Sequence, residues 1–289
     1  MDKIAPNIYV ESAYRGSTVG AILTPTGVIC VDTPMLPADA RHLRTQIAHL
    51  SKLPIRYVIY TDGHRDRVLG QQWLGGLVVG HEQTWEKMRG YGDTLRQQVV
   101  EFLAHHGALE AAEELSHQLQ LALPQITLSH GTLVLQAAKP RVVVRPVGGV
   151  SPGSLWVELP EQGVVFTGDL VTLSTHPFMS EADTVTWLNR LAELRDPDYP
   201  LMKIVPGRGN SYKRADSQKV SAYLTEMRDR VRELLRQHRG KIDVTESMPE
   251  YLDRFPIPFG ENERIQHRIR TGLERVSEEI KAEKKKRQR

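Results

Sequence analysis

The sequence contains a single cysteine, Cys30, among its 289 residues. One cysteine excludes an internal disulfide bond, and its apolar neighbours predict a buried thiol within a strand. The chain also lacks any apolar run close to the roughly 20 residues that a membrane-spanning helix requires. Residues 1–6 lack the basic-then-apolar pattern of a signal peptide. We therefore expect no membrane span and a cytoplasmic location.

The chain has a net positive charge only at its C-terminal end. The formal net charge is +3, but residues 264–289 contain ten Lys or Arg against four Glu, so the remainder carries −3. A nucleic-acid-binding body normally presents a basic face, so we expect no nucleic-acid partner for the body of this chain. We expect the basic end to be a solvated helix terminus. Its role and the oligomeric state stay open.

Short β-rich runs alternate with turn residues in two parts of the chain. They predict strands over 7–11, 18–23, 28–31, 56–59 and 77–79, then over 126–128, 132–135, 142–145, 154–159, 164–167 and 203–205. Apolar residues at helical spacing predict helices over 37–50, 82–89, 181–194, 212–239 and 261–286, and one beginning near residue 66. Two strand-rich halves, each followed by helices, indicate an α/β (α+β) sandwich with the helices outside.

Residues 93–121 have a different character, because leucine, valine and phenylalanine recur there at helical spacing and are interrupted near Gly107. This pattern predicts a two-helix insertion, which we expect to cover the mouth of a pocket. His81 precedes the predicted helix 82–89, so we expect it to cap that helix rather than to bind a ligand.

Residues 60–67 read Tyr-Thr-Asp-Gly-His-Arg-Asp-Arg and directly follow a predicted strand. The segment resembles the metal-binding signature of the metallo-β-lactamase superfamily, Thr-His-x-His-x-Asp-His. The first histidine position is Asp62 and the last is Arg67. A carboxylate can replace an imidazole as a zinc ligand, whereas a guanidinium has no lone pair to donate and stays charged.

Four further segments, 31–34, 151–157, 166–170 and 205–209, resemble the other motifs of that superfamily in the same order. The resemblance places Asp32 as a brace for the metal-binding loops and Asp169 as the aspartate that normally bridges two metals. The histidine of the third motif falls at Val150, and that of the fifth motif falls at Arg208. Three of the metal-binding histidine positions therefore carry residues that cannot bind a metal.

The resemblance covers roughly residues 4–240 and is nearest to the lactonase and glyoxalase II-like branch. It implies a four-layer αββα sandwich over residues 1–240, with residues 93–121 as a helical insertion. Residues 241–289 are then a C-terminal helical extension with a basic tail.

The resemblance leaves three possible ligands for a first metal, namely Asp62, His64 and Asp169. Three protein ligands are the minimum for a catalytic zinc ion, and an oxygen-rich set also suits manganese or iron. The second metal position would lie beside Arg67 and Arg208, where we expect the arginines to neutralise aspartates instead. We therefore expect one divalent metal or none, and no dinuclear zinc site.

Two functions remain open. The favoured hypothesis is a metal-free pseudoenzyme that binds an anionic small molecule or a partner, with Arg67, Arg208 and His176 as substrate-binding residues. The alternative is a mononuclear metal-dependent hydrolase of an ester, thioester or lactone. In that case Asp66 would orient the metal-bound water, and Arg67 or Arg208 would stabilise the developing oxyanion.

Overall fold

The computed structural model describes residues 1–105, 107–135, 139–200, 203–237 and 242–287. A first sheet contains seven strands in chain order: β1 (Asp2–Ala5), β2 (Ile8–Glu11), β3 (Val19–Thr24), β4 (Gly27–Val31), β5 (Ile55–Ile59), β6 (Leu77–His81) and β7 (Ile126–Leu128). Strands β1 to β4 pair antiparallel, whereas β4 to β7 pair parallel. The loops that leave β4, β5 and β6 therefore emerge at one edge of the sheet.

The second sheet has the order β12-β11-β10-β9-β8. Its strands are β8 (Leu133–Leu135), β9 (Val142–Pro146), β10 (Leu155–Leu159), β11 (Val164–Gly168) and β12 (Lys203–Pro206). Strands β11 and β12 are parallel, and the other pairs are antiparallel. The loops after β11 and β12, which carry the predicted fourth and fifth motifs, consequently leave the sheet at a shared edge.

The two sheets pack face to face around a shared apolar core. Ile22, Ile29 and Ile59 of the first sheet join the same cluster as Val157 and Phe166 of the second. Alternate residues of each strand supply this inner face, as the two-residue period of a strand requires.

The helices cover the outer faces of both sheets. They are α1 (Pro37–Leu50), α2 (Arg65–Val68), α3 (Gln71–Leu74), α4 (Glu82–Arg89), α5 (Gly92–His105), α6 (Leu109–Gln118), α7 (Thr184–Arg195), α8 (Ser217–Gln237) and α9 (Asn262–Arg287). Residues of α1 and α4 pack on the first sheet, and residues of α7, α8 and α9 pack on the second. This arrangement confirms the predicted αββα sandwich.

The insertion and the C-terminal extension are both helical. Helices α5 and α6 pack on each other through Val99, Leu103 and Leu115. In the extension, a 3₁₀ segment (Val244–Arg254) and α9 share one apolar cluster with α7 and α8. The predicted boundary near residue 240 lies outside the described residues, so the division into domains stays a prediction.

Some boundaries differ from the sequence prediction for identifiable reasons. The helix predicted over 181–194 begins at Thr184, because the Asp183 carboxylate accepts a hydrogen bond from the Thr186 amide at 2.9 Å and caps it. The helix predicted over 212–239 begins at Ser217 after a short 3₁₀ turn. Strand β1 and the 3₁₀ segment, which contains Pro249, were not predicted.

Three smaller predictions concern Cys30, His81 and membrane spans. Cys30 is fully buried, and burial raises the pKa of its thiol to about 12, as expected for a core residue. His81 caps α4, because its Nδ1 atom accepts a hydrogen bond from the Gln83 amide at 2.9 Å. Within the described part of the chain, no helix combines the length and apolar character needed to cross a bilayer.

Candidate functional site

Loops from both sheets converge where their parallel strands end, and Asp32 connects the first two of these loops. Its carboxylate accepts hydrogen bonds from the amide and hydroxyl of Thr61, each at 2.7 Å. Asp32 has a φ of 57°, a left-handed conformation that is uncommon for a residue other than glycine. These contacts fit the bracing role that the resemblance implies for Asp32.

Arg67 lies at the centre of the site and has no exposed surface. Its Nη1 atom donates to Asp32 Oδ2 at 3.0 Å, its Nε lies 3.2 Å from Asp62 Oδ2, and its Nη2 contacts Asp169 Oδ1. The last two contacts are ion pairs without hydrogen-bond alignment. Burial alone would lower the pKa of Arg67, but attraction by the three aspartates raises it well above its usual value. One guanidinium therefore joins three buried carboxylates.

Gly207 makes room for this guanidinium. A Cβ atom built at position 207 would overlap Asp169 Oδ1 and both terminal nitrogens of Arg67. The backbone of the fifth motif thus approaches the Arg67–Asp169 pair more closely than any side chain would permit.

Asp62 and His64 form a second contact beside Arg67. Asp62 Oδ1 accepts the His64 amide at 2.8 Å and lies 2.7 Å from His64 Nδ1. Burial raises the pKa of Asp62, but the charges of His64 and Arg67 outweigh it and hold that pKa well below its usual value. Burial lowers the pKa of His64, and the neighbouring Asp62 raises it overall. The two groups therefore form an ion pair in their charged states.

Asp62, His64 and Asp169 bring candidate ligand atoms within 4.8 Å of one another, as a metal site would require. However, Arg67 already contacts Asp62 Oδ2 and Asp169 Oδ1. At a separation of about 4 Å and an effective dielectric constant of about 20, a divalent ion and a guanidinium repel by roughly 8 kcal/mol. The side chains as arranged therefore fit a guanidinium at this position and do not fit a divalent metal.

The third motif supplies no further ligand. Val150, which occupies its histidine position, is buried in the apolar cluster beneath the second sheet. The adjacent Ser151 amide and hydroxyl both bond to Ser154 Oγ at 3.1 Å. The polar groups of this loop therefore bond to each other, and its Val150 packs into the apolar core.

Arg208 occupies the histidine position of the fifth motif. Its Nη2 atom donates to Asp66 Oδ2, its Nη1 atom donates to the Gly16 carbonyl, and its Nε lies 3.4 Å from Asp169 Oδ1. Attraction by Asp169 and Asp66 outweighs burial and raises the pKa of Arg208. Both arginines therefore form ion pairs with aspartates, as the sequence predicted. Arg67 pairs with Asp62 and Asp32 in addition to Asp169.

A cavity of about 980 Å³ opens in front of these residues. Its lining includes residues 12 and 14–17, residues of α5, residues 174–175 and 178–181, and residues of α9. Tyr91, Leu95, Gln98 and Phe102 line it from the side of the insertion. The insertion therefore forms one wall of the cavity, in agreement with its expected place at a pocket.

The predicted site residues divide between the cavity and its interior wall. His64, Asp66, Asp169 and Arg208 line the cavity, and they all come from the converging loops. Asp62 and Arg67 are buried behind that lining. Arg67 is thus brought to the site but cannot contact a ligand in the cavity, so the prediction of a substrate-binding Arg67 is not supported.

His176 was predicted to contact the substrate, but in the structure its side chain lies in the apolar core and does not reach the cavity. Its side chain is fully buried, its Nε2 atom lies 3.1 Å from the Leu252 carbonyl, and its ring packs on Tyr223 and Phe255. The 3₁₀ segment and α8 cover it, whereas nearby Phe178 lines the cavity. The C-terminal extension, for which the resemblance gives no motif, therefore determines where His176 points.

Sequence reasoning missed two arginines of α9, Arg264 and Arg268, which line the cavity. The guanidinium of Arg264 lies 5.2 Å from the Phe102 ring centroid and 3.4 Å from Glu261. The guanidinium of Arg268 lies 5.9 Å from the Phe178 ring centroid. Their spacing of four residues is a usable signal, because it places both on one helix face. The sequence alone indicated only that Arg264 and Arg268 belong to the basic C-terminal end.

Comparison with known proteins agrees with this architecture. A sequence profile of the metallo-beta-lactamase superfamily matches residues 14–208, and the chain belongs to this superfamily. The fold resembles a metallo-beta-lactamase from Pontibacter korlensis, with 20% identity, a TM-score of 0.58, and coverage of 78% of this chain and 97% of that chain.

Two further solved structures cover 96% of this chain. A metallo-beta-lactamase family protein from Thermus thermophilus has 19% identity, a TM-score of 0.65 and 95% of its own length covered. The stereoselective inverting sec-alkylsulfatase Pisa1 from Pseudomonas sp. has 15% identity, a TM-score of 0.73 and 49% of its length covered. At these identities the structural likeness defines a shared hydrolase-like fold and no particular activity.

Proposed function

We propose that this protein is a metal-free member of the metallo-beta-lactamase superfamily that binds an anionic small molecule in its cavity. One observation carries the proposal: the buried guanidinium of Arg67 contacts Asp32, Asp62 and Asp169 together. A metal-binding member would need the last two carboxylates for its ion.

Charge replacement explains why the aspartates persist without a metal. Arg67 and Arg208 contribute two positive charges beside four buried or partly buried aspartates, and the protonated form of His64 adds a third. Burial raises the pKa of Asp32 to about 6, against the lowering effect of the Arg67 charge. A buried ion pair is costly to break by removing one partner, so these residues stabilise the loops as a group.

The proposed absence of a metal removes the usual route to hydrolysis in this fold. In that route a bound metal would supply the acidity needed to activate a water near neutral pH. The cavity nevertheless keeps a volume of about 980 Å³ and several cationic side chains. A pocket of this size suits a small molecule, and its arginines favour an anionic one.

The mononuclear hydrolase remains the alternative, because Asp62, His64 and Asp169 lie within ligand distance of one another. It requires Arg67 to leave its position, so that a zinc, manganese or iron ion has access to both carboxylates. Asp66 would then be near enough to the ion's ligands to orient a water, as its contact with Arg208 places it at the same wall.

Metal content measured on the full chain distinguishes the two functions. We would express the protein in medium supplemented with zinc, manganese and iron, and compare it with Asp169→Asn by elemental analysis. We expect far less than one equivalent of metal in both proteins. One equivalent in the wild type that is lost in Asp169→Asn would refute the metal-free proposal and establish the alternative.

A further inference from the structure

Unlike Arg67, Arg208 and Arg264, Arg268 forms no ion pair with a carboxylate among the described residues. Its Nη1 atom donates to the His176 carbonyl at 2.9 Å, and Thr175 Oγ1 lies 3.5 Å away. Burial, followed by the positive charges of Arg208 and Arg264, lowers the pKa of Arg268 to about 10. Asp169 and Asp66 act in the opposite direction from a distance, so the cavity contains a guanidinium that is charged at neutral pH and has no direct carboxylate contact among the described residues.

The inner wall of the cavity, which His64, Asp66, Asp169 and Arg208 form, is electrostatically unfavourable for an anion. Arg67 and Arg208 are already engaged by aspartates, and Asp66 and Asp169 line the same wall. An anion placed there would be repelled by these carboxylates. Arg268 on α9, which has no direct carboxylate contact, would gain a charge-assisted hydrogen bond from an oxyanion that reaches it. The charge distribution therefore directs an anion to α9 and away from the former metal position.

Aromatic rings hold the cations of this side in place. The guanidinium of Arg268 lies over Phe178, and the guanidiniums of Arg65 and Arg264 each lie 5.2 Å from the Phe102 ring centroid. Leu95 adds a further apolar surface to the same cavity. An apolar wall thus adjoins the cationic one. Such a combination suits a ligand with a charged head and an apolar body.

We propose that Arg264 and Arg268 bind the oxyanion head of an amphipathic ligand, whose apolar part lies against Phe102 and Phe178. The head is a carboxylate, sulfate or phosphate, and the body is an alkyl chain or an aromatic ring. Both arginines lie outside residues 14–208, the part that matches the superfamily. The specificity therefore comes from the C-terminal extension of this chain.

This inference deepens the proposed function and rests on it. The test is isothermal titration calorimetry of the full chain with decanoate, decyl sulfate and decyl phosphate below their micelle concentrations. Decanol and inorganic sulfate and phosphate serve as matched ligands that lack the head or the body. We expect at least one of the amphipathic anions to bind about ten-fold more tightly than decanol, inorganic sulfate or inorganic phosphate. The affinities of decanoate, decyl sulfate and decyl phosphate then identify the preferred head group.

Variants of α9 locate the site. Arg268→Gln should weaken binding of the preferred anion about ten-fold or more, because a hydrogen bond to a charged group is lost. Arg264→Gln should also weaken it and provides a second variant if the first folds poorly. Arg270→Gln is the matched control, since Arg270 is exposed on the same helix; it should bind like the wild type.

Wild-type affinity in both Arg264→Gln and Arg268→Gln would overturn the inference, as would an affinity for decanol equal to that for the best of decanoate, decyl sulfate and decyl phosphate. Elemental analysis of the same samples separates this failure from failure of the proposed function. Stoichiometric metal together with Arg268-dependent anion binding would refute the metal-free proposal alone. Metal-free protein whose anion binding ignores Arg268 would refute the α9 site alone.

Discussion

Replacing Arg67 with methionine should destabilise the fold strongly and reverse part of its pH dependence. Methionine has a similar length but removes the positive charge that Asp32, Asp62 and Asp169 share. Removing one member of a buried ion pair costs about 3–5 kcal/mol. Because three carboxylates lose their partner at once, we expect about 5 kcal/mol at pH 8. For a chain of this size, that corresponds to a fall in Tm of roughly 10–15 °C.

The pH dependence follows from the direction of each pKa shift. In the wild type, burial raises both pKa values, but His64 and Arg67 depress the pKa of Asp62, and Arg208 and Arg67 lower that of Asp169 to about 2. These groups contribute stability above pH ~4 that is lost as the pH falls through their folded pKa values. Burial raises the pKa of Asp32 to about 6, so its contribution has the opposite sign and is lost as the pH rises towards 6.

Without Arg67, the pKa values of Asp62 and Asp169 should rise. The folded variant then binds protons that the unfolded chain has released, and its stability decreases as the pH increases. Each affected carboxylate contributes a slope of up to about 1.4 kcal/mol per pH unit between its unfolded and folded pKa. The deficit of Arg67→Met relative to the wild type should therefore be smaller at pH 5 than at pH 8.

Urea denaturation at pH 5, 6, 7 and 8, followed by circular dichroism, measures both effects. Arg230→Met is a matched control, because Arg230 pairs with Glu250 at the surface and should lose only about 0–1 kcal/mol. Arg67→Lys should give an intermediate loss, since an ammonium keeps the charge but not the planar fork. If Arg67→Met lies within about 1 kcal/mol of the wild type at pH 8, the precision expected of such measurements, Arg67 does not stabilise the three carboxylates as described.

Further predictions concern single positions. Gly207→Ala should lower the free energy of unfolding by about 1–3 kcal/mol, because its Cβ would overlap the Arg67 guanidinium; Gly90→Ala, with its nearest neighbouring atom 3.4 Å away, should change it little. His81→Ala should cost about 0.5–2 kcal/mol through loss of the α4 cap. Burial lowers the pKa of His81, so its contribution should be lost as the pH falls below about 6.5; equal losses at pH 5 and pH 8 would contradict this. Cys30 should react with a thiol reagent only in denaturant, and rapid labelling of the native protein would show that its strand is accessible.

The order of the motifs sufficed to predict the sandwich and the edge where the site forms. Asp32, Asp62 and Asp169 each follow a strand that runs in parallel with a neighbour, so their meeting at one edge follows from the sheet topology. The replacement of histidine by Arg67 and Arg208 also predicted charge compensation. Which arginine meets which aspartate was not predictable, because that depends on side-chain direction and on the close approach of Gly207.

The C-terminal extension was harder to interpret from sequence. Its helix was predicted with nearly the observed bounds, but a periodic pattern does not say which cavity a helix face borders. Docking of α9 places Arg268 in the cavity, and the preceding 3₁₀ segment buries His176. Both outcomes depend on tertiary packing between segments separated by many residues, for which the sequence contains no local signal.

The cavity is lined both by residues 12 and 14–17 near the start of the first sheet and by residues 258–271 of the C-terminal extension. A ligand that contacts both segments would bridge them. It would have to dissociate before α9 could separate from the rest of the fold. By mass action, a ligand at about 100 times its Kd adds about 2.7 kcal/mol to the stability of the state in which α9 is docked. Slower amide exchange along the whole of α9, roughly 39 Å of helix, would then report occupancy even where the ligand touches only its first turns.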